Sequence, residues 1–246
     1  MSVEVVNDNP QDVAGHSAGL GEVTDATAVV RFAIGGALRF LSHAETLRVF
    51  ERACARASVP VKYTQGFNPH PRQSLPLPRS VGVAADDEWL VLRVFEAHGF
   101  PLGAGQDAAR LAWEDRTQAR LADVLAPGID IAQVQLMKST LSFHPVSAEY
   151  VFALAQVDGL SERMTGLLAA ESLVVERIKP SRPEGRRVDL RPFLKSIRLD
   201  GMQMMVECGI SDAGSIRVDE IMTLLEVTPA DLTAPIRRTH VQWKTT

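Results

Sequence analysis

Two hydrophobic periods alternate along this chain, and they do so in the same order twice. That order constrains the fold more than any other feature. A period of two marks a half-buried strand, and a period of three to four marks an amphipathic helix. In the first half, TAVVRFAIGGALRF (27–40) is β-branched and alternating. It reads as a strand, with Gly35-Gly36 placed to bend it into a hairpin. Residues 42–58 switch to the helical period: Leu47, Phe50, Cys54 and Ala57 form one apolar stripe. Ser42 and Glu45 write an S-x-x-E capping box before it, and Pro60 follows it. A short strand is expected at 61–65, then a loop to about residue 80. A strand at 88–95, a helix at 107–125 stopped by Pro127-Gly128, and a strand at 129–138 complete the half.

The second half repeats the order. Strands are expected at 148–154 and 173–178, with a helix at 161–171 between them. A basic loop at 179–187 follows. Strands at 193–199 and 202–208 flank Asp200-Gly201, a two-residue hairpin signal. A helix at 217–227, capped near Ser215, and a strand at 236–243 close the chain. The β-α-β-β-α-β order is that of the ferredoxin-like unit. The expected fold is therefore α+β: two tandem ferredoxin-like modules with antiparallel sheets, spanning 27–140 and 146–246. Residues 1–26 are polar and acidic, lack a basic region followed by an apolar run, and are expected to form a disordered tail.

Composition excludes several chemistries. No run of eighteen apolar residues exists, so no membrane-spanning helix is expected, and the location is expected to be cytoplasmic. Two cysteines, Cys54 and Cys208, sit in apolar patterns and read as buried thiols. They form no CxxC pair, and neither metal nor cofactor is expected. Walker A, HExxH and GxSxG signatures are absent from the sequence, so the reading leans away from an enzyme.

Charge is segregated. The chain carries a net −4 overall. Residues 31–79 nevertheless hold eight Arg or Lys against Glu45 and Glu51, a net +6. Residues 176–198 hold eight against Glu176, Glu184 and Asp189, a net +5. Two basic segments in an acidic chain point to an anionic partner, with RNA foremost. Within the first, Arg48, Arg52 and Arg56 recur every four residues on the helix face opposite the apolar stripe, and Arg39 precedes them. The segment GFNPHPR follows. Pro69 and Pro71 fix φ and hold Asn68 and His70 extended, so Phe67, Asn68, His70 and Arg72 are presented on a pre-shaped loop. Stacking, hydrogen bonding and phosphate contact suit a single-stranded nucleic acid. His43, at the first helical position, and His70 are the candidate general base and acid. In the second segment, Arg182, Arg186 and Arg187 are candidate contacts in a mobile loop.

These residues carry a resemblance. LRFLSHAETLRVFERACARASVPVKYTQGFNPHPRQSLPLPRSVGV resembles the bacterial radical-SAM-linked domain of unknown function. That domain is fused after a cobalamin-binding radical-SAM enzyme or encoded as its separate partner. The LRFLSH start, the R-x-x-E-R-A helix and the Y-T-Q-G-F-N-P-H-P run match at 38–43, 48–53 and 63–71, with Thr64 where Ser is usual. Ala44-Glu45 replaces the more frequent Leu-Asp. Weaker similarity continues through AEY (148–150) and DLRP (189–192). The resemblance implies a radical-SAM protein as partner and an RNA or translation-related substrate. Two cysteines cannot supply the three thiolates of a radical-SAM cluster, so the chain is expected to work beside that enzyme. The expected function is an accessory binding protein that presents tRNA- or rRNA-type RNA. The alternatives are a metal-independent RNA endonuclease using His43 and His70, and a purely protein-docking subunit.

Overall fold

The computed structural model describes residues 23–138, 141–179 and 182–246. Strand β1 (Val23–Ile34) leads into a 3-10 turn, Gly36–Phe40, and then helix α1 (His43–Arg56). The short β2 (Gln73–Ser74) and the long β3 (Ala84–Phe100) follow, then α2 (Asp107–Val124) and β4 (Ile129–Lys138). The second half contains β5 (Phe143–Ala153), α3 (Leu160–Ala169), β6 (Val174–Lys179) and β7 (Arg182–Asp189). It continues with β8 (Leu194–Asp200), β9 (Gln203–Ser211), β10 (Gly214–Ser215), α4 (Val218–Leu224) and β11 (Arg237–Thr245).

The protein is α+β, with four helices among the described residues and a largely antiparallel sheet. In the first half, β4 and β3 flank β1, and β2 adds to β3, all antiparallel. In the second, β11 and β9 flank β5, and β8 adds to β9, again all antiparallel. The strands do not form two separate sheets. One nine-stranded sheet runs through both halves, because β11 pairs in parallel with β3 at Arg237↔Ala84 and Arg238↔Ala85. β6 and β7 form a separate two-stranded ribbon.

Two cores follow from this arrangement. Ala26, Ala28, Val30, Phe32 and Ile34 of β1 face α1 and α2, with Leu90, Leu92 and Val94 of β3 beside them. Phe50 of α1 meets Phe32 edge to face, with centroids 4.6 Å apart. Such a pair adds about 0.5–1.5 kcal/mol beyond area burial. The second core gathers Phe152, Leu160, Leu190, Met204, Val206 and Ile221 under α3 and α4. Val29, on the other face of β1, is buried too. Phe143 and the partly buried Leu141 and Trp243 cover it. Trp89 of β3 stacks on Trp243 of β11 at 4.6 Å and meets Phe143 edge-on at 5.6 Å.

Four expectations change. Gly35-Gly36 makes no hairpin: β1 ends at Ile34, and Gly36, with φ +53°, opens the 3-10 turn. The 61–65 strand is reduced to isolated bridges, Val61↔Val94 and Tyr63↔Pro71. The basic stretch 179–187 is not a loop, since most of it is β7, paired with β6. The boundary of the expected tail also moves. Residues 1–22 lie outside the described residues, but 23–26 belong to β1.

Candidate nucleic-acid interface

The GFNPHPR segment is the tip of a closed hairpin. The Thr64 N–H donates to the His70 carbonyl (2.8 Å), and the His70 N–H donates to Thr64 Oγ1 (2.9 Å). Below them the Arg72 N–H donates to the Lys62 carbonyl at 2.7 Å. The stem is then fixed to β3, where the Lys62 N–H donates to the Arg93 carbonyl and the Arg93 N–H to the Arg72 carbonyl. Gly66 turns the tip at φ +137°, a conformation that side-chain-bearing residues avoid. The stem backbone is thus hydrogen-bonded in place, and the side chains of the tip are left outside. Phe67 is fully exposed at 102%, and Asn68, His70 and Arg72 are exposed beside it. An aromatic ring at the apex of a rigid loop gains nothing for the fold from that position.

Residues 73–79 form a strap that leaves the hairpin and crosses the molecule. Gln73 Nε2 donates to the Leu47 carbonyl of α1 at 3.0 Å. Beyond it the strap separates two spaces. Arg72, Ser74 and Pro76 line an open groove of about 350 Å³, with Arg93 and Phe143 on its far wall. Leu75, Leu77 and Arg79 line the other space with His43, Thr46 and Glu88: a narrow cavity of about 10 Å³, no larger than one water.

A buried ion pair holds the strap down. Arg238 of β11 donates Nε and Nη2 to the Glu88 carboxylate of β3 at 2.7 and 2.6 Å. The two side chains are 1% and 6% exposed. The same guanidinium donates to the Pro78 and Leu77 carbonyls, both at 3.1 Å, so every fork of it is used. Burial alone would lower its pKa, but Glu88 outweighs that and raises it, so Arg238 stays charged. Arg79 donates to the Arg39 carbonyl at 2.6 Å and the Leu41 carbonyl at 3.2 Å, stitching the strap to the chain before α1.

The expected site residues divide. Arg48 and Arg52 are exposed on α1, with no side-chain hydrogen bond or ion pair among the described residues. Arg56 is instead committed, donating to the Val124 carbonyl at the end of α2. Arg39 donates to the Gly36 carbonyl at 2.5 Å and lies over the Phe40 ring at 4.2 Å. Arg186 and Arg187 are exposed on β7, while the Arg182 side chain lies outside the described residues. His43 does not point outward. Its ring lines the interior cavity, and Nδ1 is buried with no hydrogen-bond partner among the described residues. His70 is on the surface. Among the described residues, the two imidazoles share neither a hydrogen bond nor a cavity.

Sequence reasoning missed Glu88, Arg238 and Arg79. A signal existed for one of them. Glu88 is in phase with Leu90, Leu92 and Val94, so period-two alternation places an acid on the core face and demands a partner. Both cysteines are buried, and burial pushes their thiols up to about 12. They are poor nucleophiles and ligands at neutral pH. Among the described residues, no group of three or more His, Cys, Asp or Glu is arranged to hold a metal ion. Among them also, no helix is long and apolar enough to cross a membrane.

Fold and site together define an α+β protein with a mixed, largely antiparallel sheet that carries a rigid, exposed loop beside basic side chains. A family model described as an uncharacterized protein conserved in bacteria, DUF2344, matches residues 28–218. The chain belongs to that bacterial family. A search of curated proteins returns no match.

Proposed function

We propose that this protein is a binding module: a cytoplasmic accessory factor that presents an RNA-type substrate, related to tRNA or rRNA, to a separate radical-SAM enzyme. One observation carries the reading. The stem of the 62–72 hairpin is hydrogen-bonded between Thr64 and His70, between Lys62 and Arg72 and onto β3, and Phe67, Asn68, His70 and Arg72 are left in solvent. A loop already ordered in the binding conformation forfeits little entropy on association. Phe67 offers a stacking face, Asn68 and His70 hydrogen bonds, and Arg72, Arg48 and Arg52 contacts to phosphate. Each half is read as a ferredoxin-like unit, paired β4-β1-β3-β2 and β11-β5-β9-β8, with β11 merging the two sheets.

The test is binding of purified protein to tRNA and rRNA fragments across a salt series. Affinity should fall steeply and linearly in log–log form as salt rises. Absence of binding at low salt would sink the proposal. The complete exposure of Phe67 also suits docking onto the radical-SAM protein itself. Co-purification of that protein that withstands nuclease and high salt would favour docking over RNA presentation.

A further inference from the structure

The base of the hairpin and β3 set two arginines side by side on the sheet face away from α1. Gln73 pairs with Leu92 and Ser74 with Val91, antiparallel. One step back in that register, the Arg93 N–H donates to the Arg72 carbonyl at 2.8 Å, so Arg72 stands opposite Arg93. Residues directly opposed in an antiparallel pair project from the same face, with Cβ atoms about 4.5–5.5 Å apart. Gln73 and Leu92 face inward: Gln73 reaches the Leu47 carbonyl of α1, and Leu92 is in the core. Arg72, Ser74, Val91 and Arg93 therefore face the other way, and all four line the open groove of about 350 Å³. Ser142 and Phe143 line it as well.

The two cations differ in how they are held. Arg93 is fixed in place, since its guanidinium donates to Thr27 Oγ1 and to the Leu141 carbonyl. Arg72 is exposed and makes no side-chain hydrogen bond or ion pair among the described residues. No acidic side chain lines the groove. The acids on this face of β1 and β3 are engaged elsewhere. Both oxygens of Asp25 accept from Lys62 Nζ at 2.9 Å, and Asp87 accepts from Arg31 Nε at 3.0 Å. Like charges placed directly opposite on neighbouring strands destabilise a sheet. An anion seated between them reverses that sign.

Guanidinium groups match phosphate oxygens through paired N–H donors, and serine hydroxyls add further donors. The volume lies at the lower end of small-molecule sites. We propose that this groove is a phosphate seat, with Arg93 as its fixed cation, Arg72 as the arm that closes on the ligand, and Ser74 beside them. This rests on the RNA-presenting reading and deepens it: the seated group is a phosphodiester of the strand whose base stacks on Phe67. The Thr64–His70 rung lies two residues beyond Arg72, about 7 Å along the stem, so the tip and the seat are within reach of one short strand. The RNA then runs from the hairpin tip onto the sheet face opposite α1.

Two full-length variants test this, Arg72→Ala and Ser74→Asp. Both positions are exposed, and circular dichroism checks the fold. A fluorescently labelled single-stranded RNA dodecamer is titrated by anisotropy over a salt series, and inorganic phosphate by calorimetry. Arg72→Ala removes one phosphate contact and should reduce the log–log salt slope by about 0.7. Ser74→Asp puts a carboxylate into the seat. It should abolish phosphate binding and weaken RNA binding without lowering the melting temperature. RNA binding by folded Ser74→Asp with wild-type affinity and slope overturns the groove and leaves the RNA reading standing, as does an unchanged slope in Arg72→Ala. Phosphate binding that Ser74→Asp abolishes, without any RNA binding by the wild type, upholds the seat for a free phosphate and refutes the RNA reading. A wild type that binds neither probe refutes both.

Discussion

Phe67 gains nothing for the fold and is available for everything else. Its ring is fully exposed while the backbone beneath it is hydrogen-bonded in place. Phe67→Ala should leave the melting temperature unchanged and weaken RNA binding by about 1–3 kcal/mol, the usual worth of one stacked base. Anisotropy and differential scanning fluorimetry on the same sample would check both halves of that expectation. Glu220 is the opposite case, a residue used wholly inside. Burial would raise its pKa, but the Arg177 guanidinium and the Arg217 N–H outweigh that and hold it below its ordinary 4.5. A carboxylate with a lowered folded pKa stabilises the fold above its unfolded value. That contribution disappears as pH falls below 4.5 through the folded value. Glu220→Gln should therefore flatten the acid limb of the stability–pH curve below 4.5, read by urea unfolding at stepped pH. Asp189 and Asp231 are also held low, by backbone hydrogen bonds and by Thr228 respectively, and act in the same sense.

At the scale of elements, α1 shows how far local rules reach. Ser42 Oγ accepts from the Glu45 N–H at 3.3 Å, and Glu45 Oε2 accepts from the Ser42 N–H at 2.8 Å. The box starts the helix at His43, while Phe50, Ala53 and Cys54 bury its inner face. Ser42→Ala should cost about 1 kcal/mol and lower the melting temperature by about 2–4 °C. RNA affinity should not change, because the outer face of α1 is untouched. The strap depends on long-range contacts instead. Its alternating residues reach two different spaces, and its carbonyls are held by Arg238 from the far end of the chain. The hairpin before it is built by residues six to ten apart, which is why a proline-stiffened loop was legible from GFNPHPR alone.

Across the whole molecule, long-range junctions tie the halves together, and three of them stand out. These are the parallel β11–β3 pairing, the Trp89–Trp243 stack with Phe143, and the Glu88–Arg238 pair. Arg238→Ala leaves a buried carboxylate unpaired and two carbonyls without a donor. It should destabilise the protein by about 3–5 kcal/mol. The Glu88→Leu, Arg238→Met double variant removes both charges and should cost markedly less than the single change. Denaturant titration of the three proteins checks this order. A single variant no less stable than the double one would mean that the pair does not lock the halves.

The sequence determined what neighbouring residues settle between themselves. The capping box, the apolar stripe and the Pro-Gly stop set α1 and α2, and alternation set β4 at 129–138 as the structure has it. The exposure of the hairpin residues and of Arg48 and Arg52 was likewise legible, since hydration and proline stiffness are local properties. Long-range contacts decided the rest. The stretch 182–187 became strand because β6 lies beside it, although its composition says loop. His43 turned inward because Leu75 and Leu77 close over it. Arg56 left the presumed binding face for a helix end 68 residues away. Glu88 and Arg238, 150 residues apart, became one buried unit only when β11 reached β3 and joined two sheets into one. Periodicity reports which face of an element is apolar. It carries no information about which distant element will cover that face, and burial, pairing and charge compensation are fixed by that choice.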